Sequence, residues 1–176
     1  MSTRGSSNPE GQPPVSETAL ISQFTRREIQ APLAACLIRA FAGELGEEKA
    51  LQIAAEAIQS DAASAGKAVA GQLGGNSMKE LARVVRELWA ADEAISFRIL
   101  EESDQNLSFD VTRCRYAEYY EREGMLDLGF CLSCSRDGAF TQGFNPRILL
   151  SRTQTIMQGQ PVCDFRFTLE EPGDVD

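Results

Sequence analysis

Histidine is missing from the whole chain. Imidazole is the side chain that ordinarily titrates near neutrality, so any acid–base chemistry falls to carboxylates, thiols, tyrosine, lysine, or water held by them. Positive charge is scarce as well. The 17 Lys plus Arg stand against 26 Asp plus Glu, a net charge of −9. That field repels phosphate backbones and anionic lipid, which argues against nucleic acid and membrane surfaces as main partners. It leaves room for a small anionic ligand, because a local arginine pair outweighs a diffuse field. No apolar run approaches the roughly 20 residues that span a bilayer, and no apolar segment follows Arg4 as a secretory leader would require. The five cysteines are an odd number in a chain without such a leader. Reduced thiols in a cytoplasmic protein are the expectation.

What is present describes one globular domain. At 176 residues, with 43% hydrophobic and 24% charged content, the chain suits a single core. Residues 1–17 are rich in Ser, Gly and Pro and read as a disordered tail; residues 18–170 form the domain, and 171–176 an acidic tail. From Thr18 the pattern is helical, with Ala19, Leu20, Phe24 and Ile29 on one face. Pro32 is expected to open a second helix carrying Leu33, Cys36, Leu37, Ala40 and Phe41. A third helix runs from Glu47 towards Leu73, and its small residues suggest close helix packing. After Gly74-Gly75-Asn76, Ser77 to Glu80 reads as a capping box before Leu81, Val84, Val85, Leu88 and Trp89.

The period changes near residue 95. Ile95, Phe97 and Ile99, then Leu107, Phe109 and Val111, alternate with polar residues as two strands around a Ser103–Asn106 turn. Residues 113–123 and 126–136 read as short helices, Gly143 to Pro146 as a turn, and 147–156 and 162–169 as two further strands. The expected class is α+β: a helical N-terminal half packed on a small, mainly antiparallel four-stranded sheet with two short inserted helices.

Chemistry-bearing residues gather between Val111 and Arg166. Helical spacing places Cys114 with Glu118, and Cys131 and Cys134 with Asp137. Arg152 and Gln154 share a strand face with Ile148 and Leu150, an arrangement that is costly to bury unless paired. Cys163 alternates with Asp164 and Arg166. Each thiol is also a natural small core residue, and the arginines are equally suited to structural pairs with Asp110, Asp164 or Glu118. The lone Cys131-x-x-Cys134 pair is a weak zinc signal, even with Cys114 and Cys163 recruited.

The ordered blocks VTRCRYAEYYEREG, LGFCLSCSRD, GFNP, RTQTIMQG and CDFRF, with GEEKALQIAAEAI upstream, resemble the L-2-amino-thiazoline-4-carboxylic acid hydrolase family over roughly Glu28 to Phe167. The resemblance implies a cytoplasmic, bacterial-type hydrolase of cysteine metabolism. It would act on a small-molecule substrate without cofactor or metal, and a homo-oligomer is compatible with it. The family reaction adds water to C2 of the aminothiazoline and breaks its C2–S bond, giving N-carbamoyl-L-cysteine. On that basis Arg113 and Arg152 would hold the substrate carboxylate, with Gln154, Asn145 and Arg166 as further binding residues. Asp137 or Asp164 would hold the amidinium, and Glu118 would serve as base. Cys134 and Cys163, then Cys114, would be nucleophiles if a thiol replaces water. The alternatives are a ligand-binding module without turnover and a Cys-ligated metal protein.

Overall fold

The computed structural model describes residues 21–170. The expected tails at 1–17 and 171–176, and the start of the first helix at Thr18 to Leu20, lie outside the described residues. The α+β class is as expected, and its helices begin with α1, Gln23–Leu45, and α2, Glu47–Leu73. Next comes α3, Met78–Val84, running into a π turn over Val85–Trp89. The hairpin β1, Ile95–Glu102, and β2, Asn106–Cys114, leads to α4, Arg115–Arg122, and α5, Leu126–Gly129. A second π turn, Phe130–Cys134, enters α6, Arg136–Phe144, followed by β3, Ile148–Ser151, and β4, Cys163–Leu169. The sheet order is β1-β2-β4-β3 and every pairing is antiparallel. Among the described residues no helix is long and apolar enough to cross a membrane.

The N-terminal helices differ from expectation in two respects. Pro32 does not open a new helix; it sits inside α1, which runs unbroken from its Ser22 cap. Proline lacks the N–H that would bond the carbonyl four residues back. That carbonyl, Glu28 O, instead accepts from the Tyr119 hydroxyl at 3.0 Å, so the missing bond is replaced from α4 and the helix continues. The buried face of α1 is also not the one carrying the large residues. Phe24, Ala31, Ala35 and Ile38 are buried, whereas Ile29, Leu33, Leu37 and Phe41 are exposed. The expected capping box is present, with Glu80 returning to the Ser77 N–H.

The small residues of α2 have the packing role their size suggests. A Cβ on Gly143 of α6 would lie 1.9 Å from the Ala63 carbonyl oxygen, and one on Gly66 would lie 2.1 Å from Phe140 O. The two helices therefore touch backbone to backbone. This contact holds α6 against the helical half and fixes where the residues at its N-terminal end sit.

Two apolar clusters result. Leu107, Phe109 and Val111 of β2 and Phe165 and Phe167 of β4 pack against Met78, Leu81, Val84 and Val85. Phe24, Ala31, Ala35 and Ile38 of α1 pack against Tyr119, Tyr120, Leu128 and Leu132. Cys114, where β2 ends, touches both clusters. β3 is shorter than expected because the chain leaves the sheet after Ser151. The Asp164 carboxylate draws it away, accepting from Thr153 N at 3.0 Å, Gln154 N at 2.8 Å and Thr153 Oγ1 at 2.6 Å. The inserted helical segment is longer than expected, since α6 continues to Phe144.

Candidate active site

A cavity of about 210 Å³ opens where the two clusters meet. Its inner wall is buried Ala62, Val111, Cys134, Cys163 and Phe165; its outer rim includes exposed Arg26, Gln30 and Asp61. The volume is below the roughly 300–1,000 Å³ of drug-sized sites and suits a small metabolite. Both π turns border it, contributing Leu88 and Trp89 from one and Ser133 and Cys134 from the other. In each, an i→i+5 bond replaces the α pattern, Ala90 N to Val85 O and Ser135 N to Phe130 O. The extra residue per turn rotates the following side chains, a device frequent at functional sites.

Asp137 and Arg152 sit at the centre. The Arg152 guanidinium donates to Asp137 Oδ2 through Nη1 and to Cys134 O at 3.0 Å through Nη2, and lies 4.9 Å from the centroid of the Phe165 ring. The Arg152 side chain is 10% exposed and that of Asp137 24%, so the pair is largely withdrawn from water and unpaired charge there is costly. Burial raises the Asp137 carboxyl above the ordinary carboxylate range, with the Arg152 charge opposing. Asp164 acts on this pair from outside the cavity, since its three hydrogen bonds fix the Thr153–Gln154 backbone that follows Arg152.

Burial shifts the three cavity thiols towards their protonated form. Burial raises Cys114 to about 11. Burial, and then the neighbouring Asp137 charge, raise Cys134. Burial likewise raises Cys163, although its sulfur accepts from Ile156 N at 3.2 Å. At pH 8 a thiol of pKa about 11 is thiolate in about one molecule in a thousand. Cys114 should therefore react with iodoacetamide on the order of 10² times more slowly in the native protein than in guanidinium, as read by peptide mass.

Sequence expectation and geometry part at several residues. Cys114, Cys134, Asp137, Arg152 and Cys163 all line the cavity. Arg113 and Glu118 instead close a bidentate pair with each other, 2.7 and 2.9 Å, beside a separate shallow depression. Gln154 gives its backbone N–H to Asp164. Arg166 bonds Asp110 at 2.8 Å, and Asp110 also meets Arg98 at 3.2 Å. Asn145 donates to Asn76 O at 2.8 Å while Asn76 donates to Phe144 O at 3.1 Å, a clasp between the two chain breaks. Cys131 is half-buried and does not line the cavity. Among the described residues no three of Cys, Asp and Glu converge as metal ligands, so the four-thiolate alternative has no ligand set.

Four lining residues that were not anticipated, Gln23, Arg26, Arg27 and Gln30, come from α1. Arg27 lines the cavity, donates to Gln30 Oε1 at 2.6 Å and has no acidic partner among the described residues. Burial, and then the like charge of Arg136, lower its pKa. Arg136 itself reaches Asp61 on the rim. Tyr116 of α4 also lines the cavity, and burial raises the pKa of its hydroxyl; Tyr120, fully buried and outside the lining, has a hydroxyl without a hydrogen-bond partner among the described residues. The only sequence signal was an arginine doublet one turn into a helix.

The Arg27 and Arg136 guanidiniums, the rim carboxylate of Asp61 and the Asp137–Arg152 pair thus share one cavity. The chain belongs to the L-2-amino-thiazoline-4-carboxylic acid hydrolase family, whose model matches residues 26–167. Comparison with curated proteins finds no match.

Proposed function

We propose that this cavity opens the ring of a small cyclic amidine or thiazoline bearing a carboxylate, L-2-amino-thiazoline-4-carboxylate or a close relative. The observation that carries the reading is the placement of a cationic locus, Arg27 with Arg136, on the same cavity as the buried Asp137–Arg152 pair. Arg27 takes the substrate carboxylate, for which a guanidinium without an acid partner is already desolvated. Asp137 accepts a proton from water as its oxygen adds to C2. Collapse of the tetrahedral carbon breaks the C2–S bond and the carboxylic acid returns that proton to sulfur, while the second water proton ends on the ring nitrogen. A raised carboxyl pKa favours both halves of this shuttle. Water is the nucleophile in this account because the cavity thiols are held protonated.

The test is release of thiol from L-2-amino-thiazoline-4-carboxylate, with N-carbamoylcysteine identified by mass. Saturable release supports the reading; no product from folded protein removes it in favour of a binding module. A substrate-derived mass adduct on Cys134 in quenched reactions would replace water with a thiol as nucleophile. Arg27→Gln should raise KM by about 10- to 100-fold, the worth of a charged hydrogen bond, with kcat nearly unchanged and Arg27→Lys partly restoring. With 2-amino-thiazoline, which has no carboxylate, wild type and Arg27→Gln should perform alike.

A further inference from the structure

The exposed face of α1 carries a pattern that nothing covers among the described residues. Ile29, Leu33, Leu37, Phe41 and Leu45 follow one another every four residues, and each is between 47% and 66% exposed. Pro32, Cys36 and Ala40, all exposed, form a row of smaller residues alongside. Together the five large side chains present an apolar strip on the order of 500 Å², the size at which patches on single chains mark interaction sites. With its polar neighbours the face reaches roughly the 800 Å² that a standard interface takes from each partner.

The charges on this face indicate which partner fits. Arg26 and Glu44 are 18 residues apart, five turns at 3.6 residues per turn, so they mark the two ends of one line along the helix. Both are exposed and neither forms an ion pair among the described residues. Three pairs on this face are symmetric about residue 35: Arg26 mirrors Glu44, Ile29 mirrors Phe41, and Leu33 mirrors Leu37, whereas Leu45 mirrors Thr25 and stays outside the symmetric set. A second copy of α1 laid antiparallel across a two-fold axis meets large apolar residues with large apolar residues and each arginine with a glutamate. An isologous contact demands this self-complementarity, which an unrelated partner would not require.

We infer that the protein is a two-fold dimer joined through antiparallel α1 helices, with Leu33 and Leu37 at the centre and Arg26–Glu44 pairs at both ends. Because Arg26 and Gln30 also line the outer rim of the cavity, Glu44 of the partner subunit comes to lie beside that rim. The inference is independent of the reaction proposed above.

Sedimentation of the full chain tests it. Wild type should run at twice 19.2 kDa, and Leu37→Asp should run as a monomer with an unchanged helical circular dichroism spectrum. Arg26→Glu alone and Glu44→Arg alone each place like charges at both ends and should weaken the dimer at least about tenfold. The double reversal, Arg26→Glu with Glu44→Arg, should bring it back to near wild-type strength. The charge variants change exposed side chains only, so folding does not confound them. A wild-type monomer through the tens of micromolar range overturns the inference. So does a dimer indifferent to the single reversals, or a double reversal that fails to restore association.

Discussion

Asp137→Asn should lower kcat/KM by about 10³, roughly 4 kcal/mol of transition-state stabilisation, the middle of the range for a positioned general base. Asparagine keeps an oxygen for the Arg152 donor but cannot take a proton from water. The substitution removes a buried counter-charge from Arg152 and should cost about 2 kcal/mol of stability, so a thermal melt must confirm a folded protein before kinetics are read. The pH profile separates chemistry from structure. Burial places the Asp137 carboxyl above its ordinary value, and a base must be unprotonated to work. Wild-type kcat/KM should therefore be full above that raised value and lost as pH falls through it, with an acid limb centred above about pH 4. In Asp137→Asn the limb should vanish along with most of the rate. If the variant retains wild-type kcat/KM, Asp137 is only the counter-ion of Arg152.

Gly143→Ala should be the most damaging alanine substitution among the described glycines. The new Cβ would stand 1.9 Å from Ala63 O and 2.6 Å from Ala63 C. Those are backbone atoms of a long helix, and no rotamer change can move them aside. α2 and α6 would have to separate by more than an ångström, above the usual 1–3 kcal/mol of core overpacking. A loss of at least about 3 kcal/mol, or a fall in Tm of roughly 10 °C, is expected for a chain of this size. Gly71→Ala is the control. It lies in α2 with nothing within 4 Å of its Cβ, so helix propensity alone should leave stability equal or up to about 1 kcal/mol higher. Equal melting of the two variants would mean that the α2–α6 contact yields more easily than its geometry implies.

These predictions rest on residues of unequal visibility in the sequence. The hairpin of β1 and β2 was legible because alternation of Leu107, Phe109 and Val111 with polar neighbours admits few other arrangements, and the Ser77–Glu80 capping box was legible because its partners are three residues apart. Pro32 misled, since its usual meaning is a helix boundary and the hydroxyl that replaces its missing bond comes from Tyr119, in α4. The large residues of α1 misled for a related reason. Periodicity finds an apolar stripe but cannot say whether that stripe meets the chain's own core or, as inferred above, a second copy of it.

The sequence by itself determined the class of fold, the family, the small-residue contact of α2 and the chemical vocabulary available without histidine. Each depends on residue types and short spacings, which survive in one dimension. Only the tertiary structure decided which of the chemistry-bearing residues share a cavity. Arg113 and Glu118, five residues apart, satisfy each other at the surface, whereas Asp137 and Arg152 are joined in the interior and Arg27 is brought to them from another helix. It also decided the state of the thiols. Burial is a property of packing, and it outweighs the nearby Arg152 charge, which acts in the activating direction.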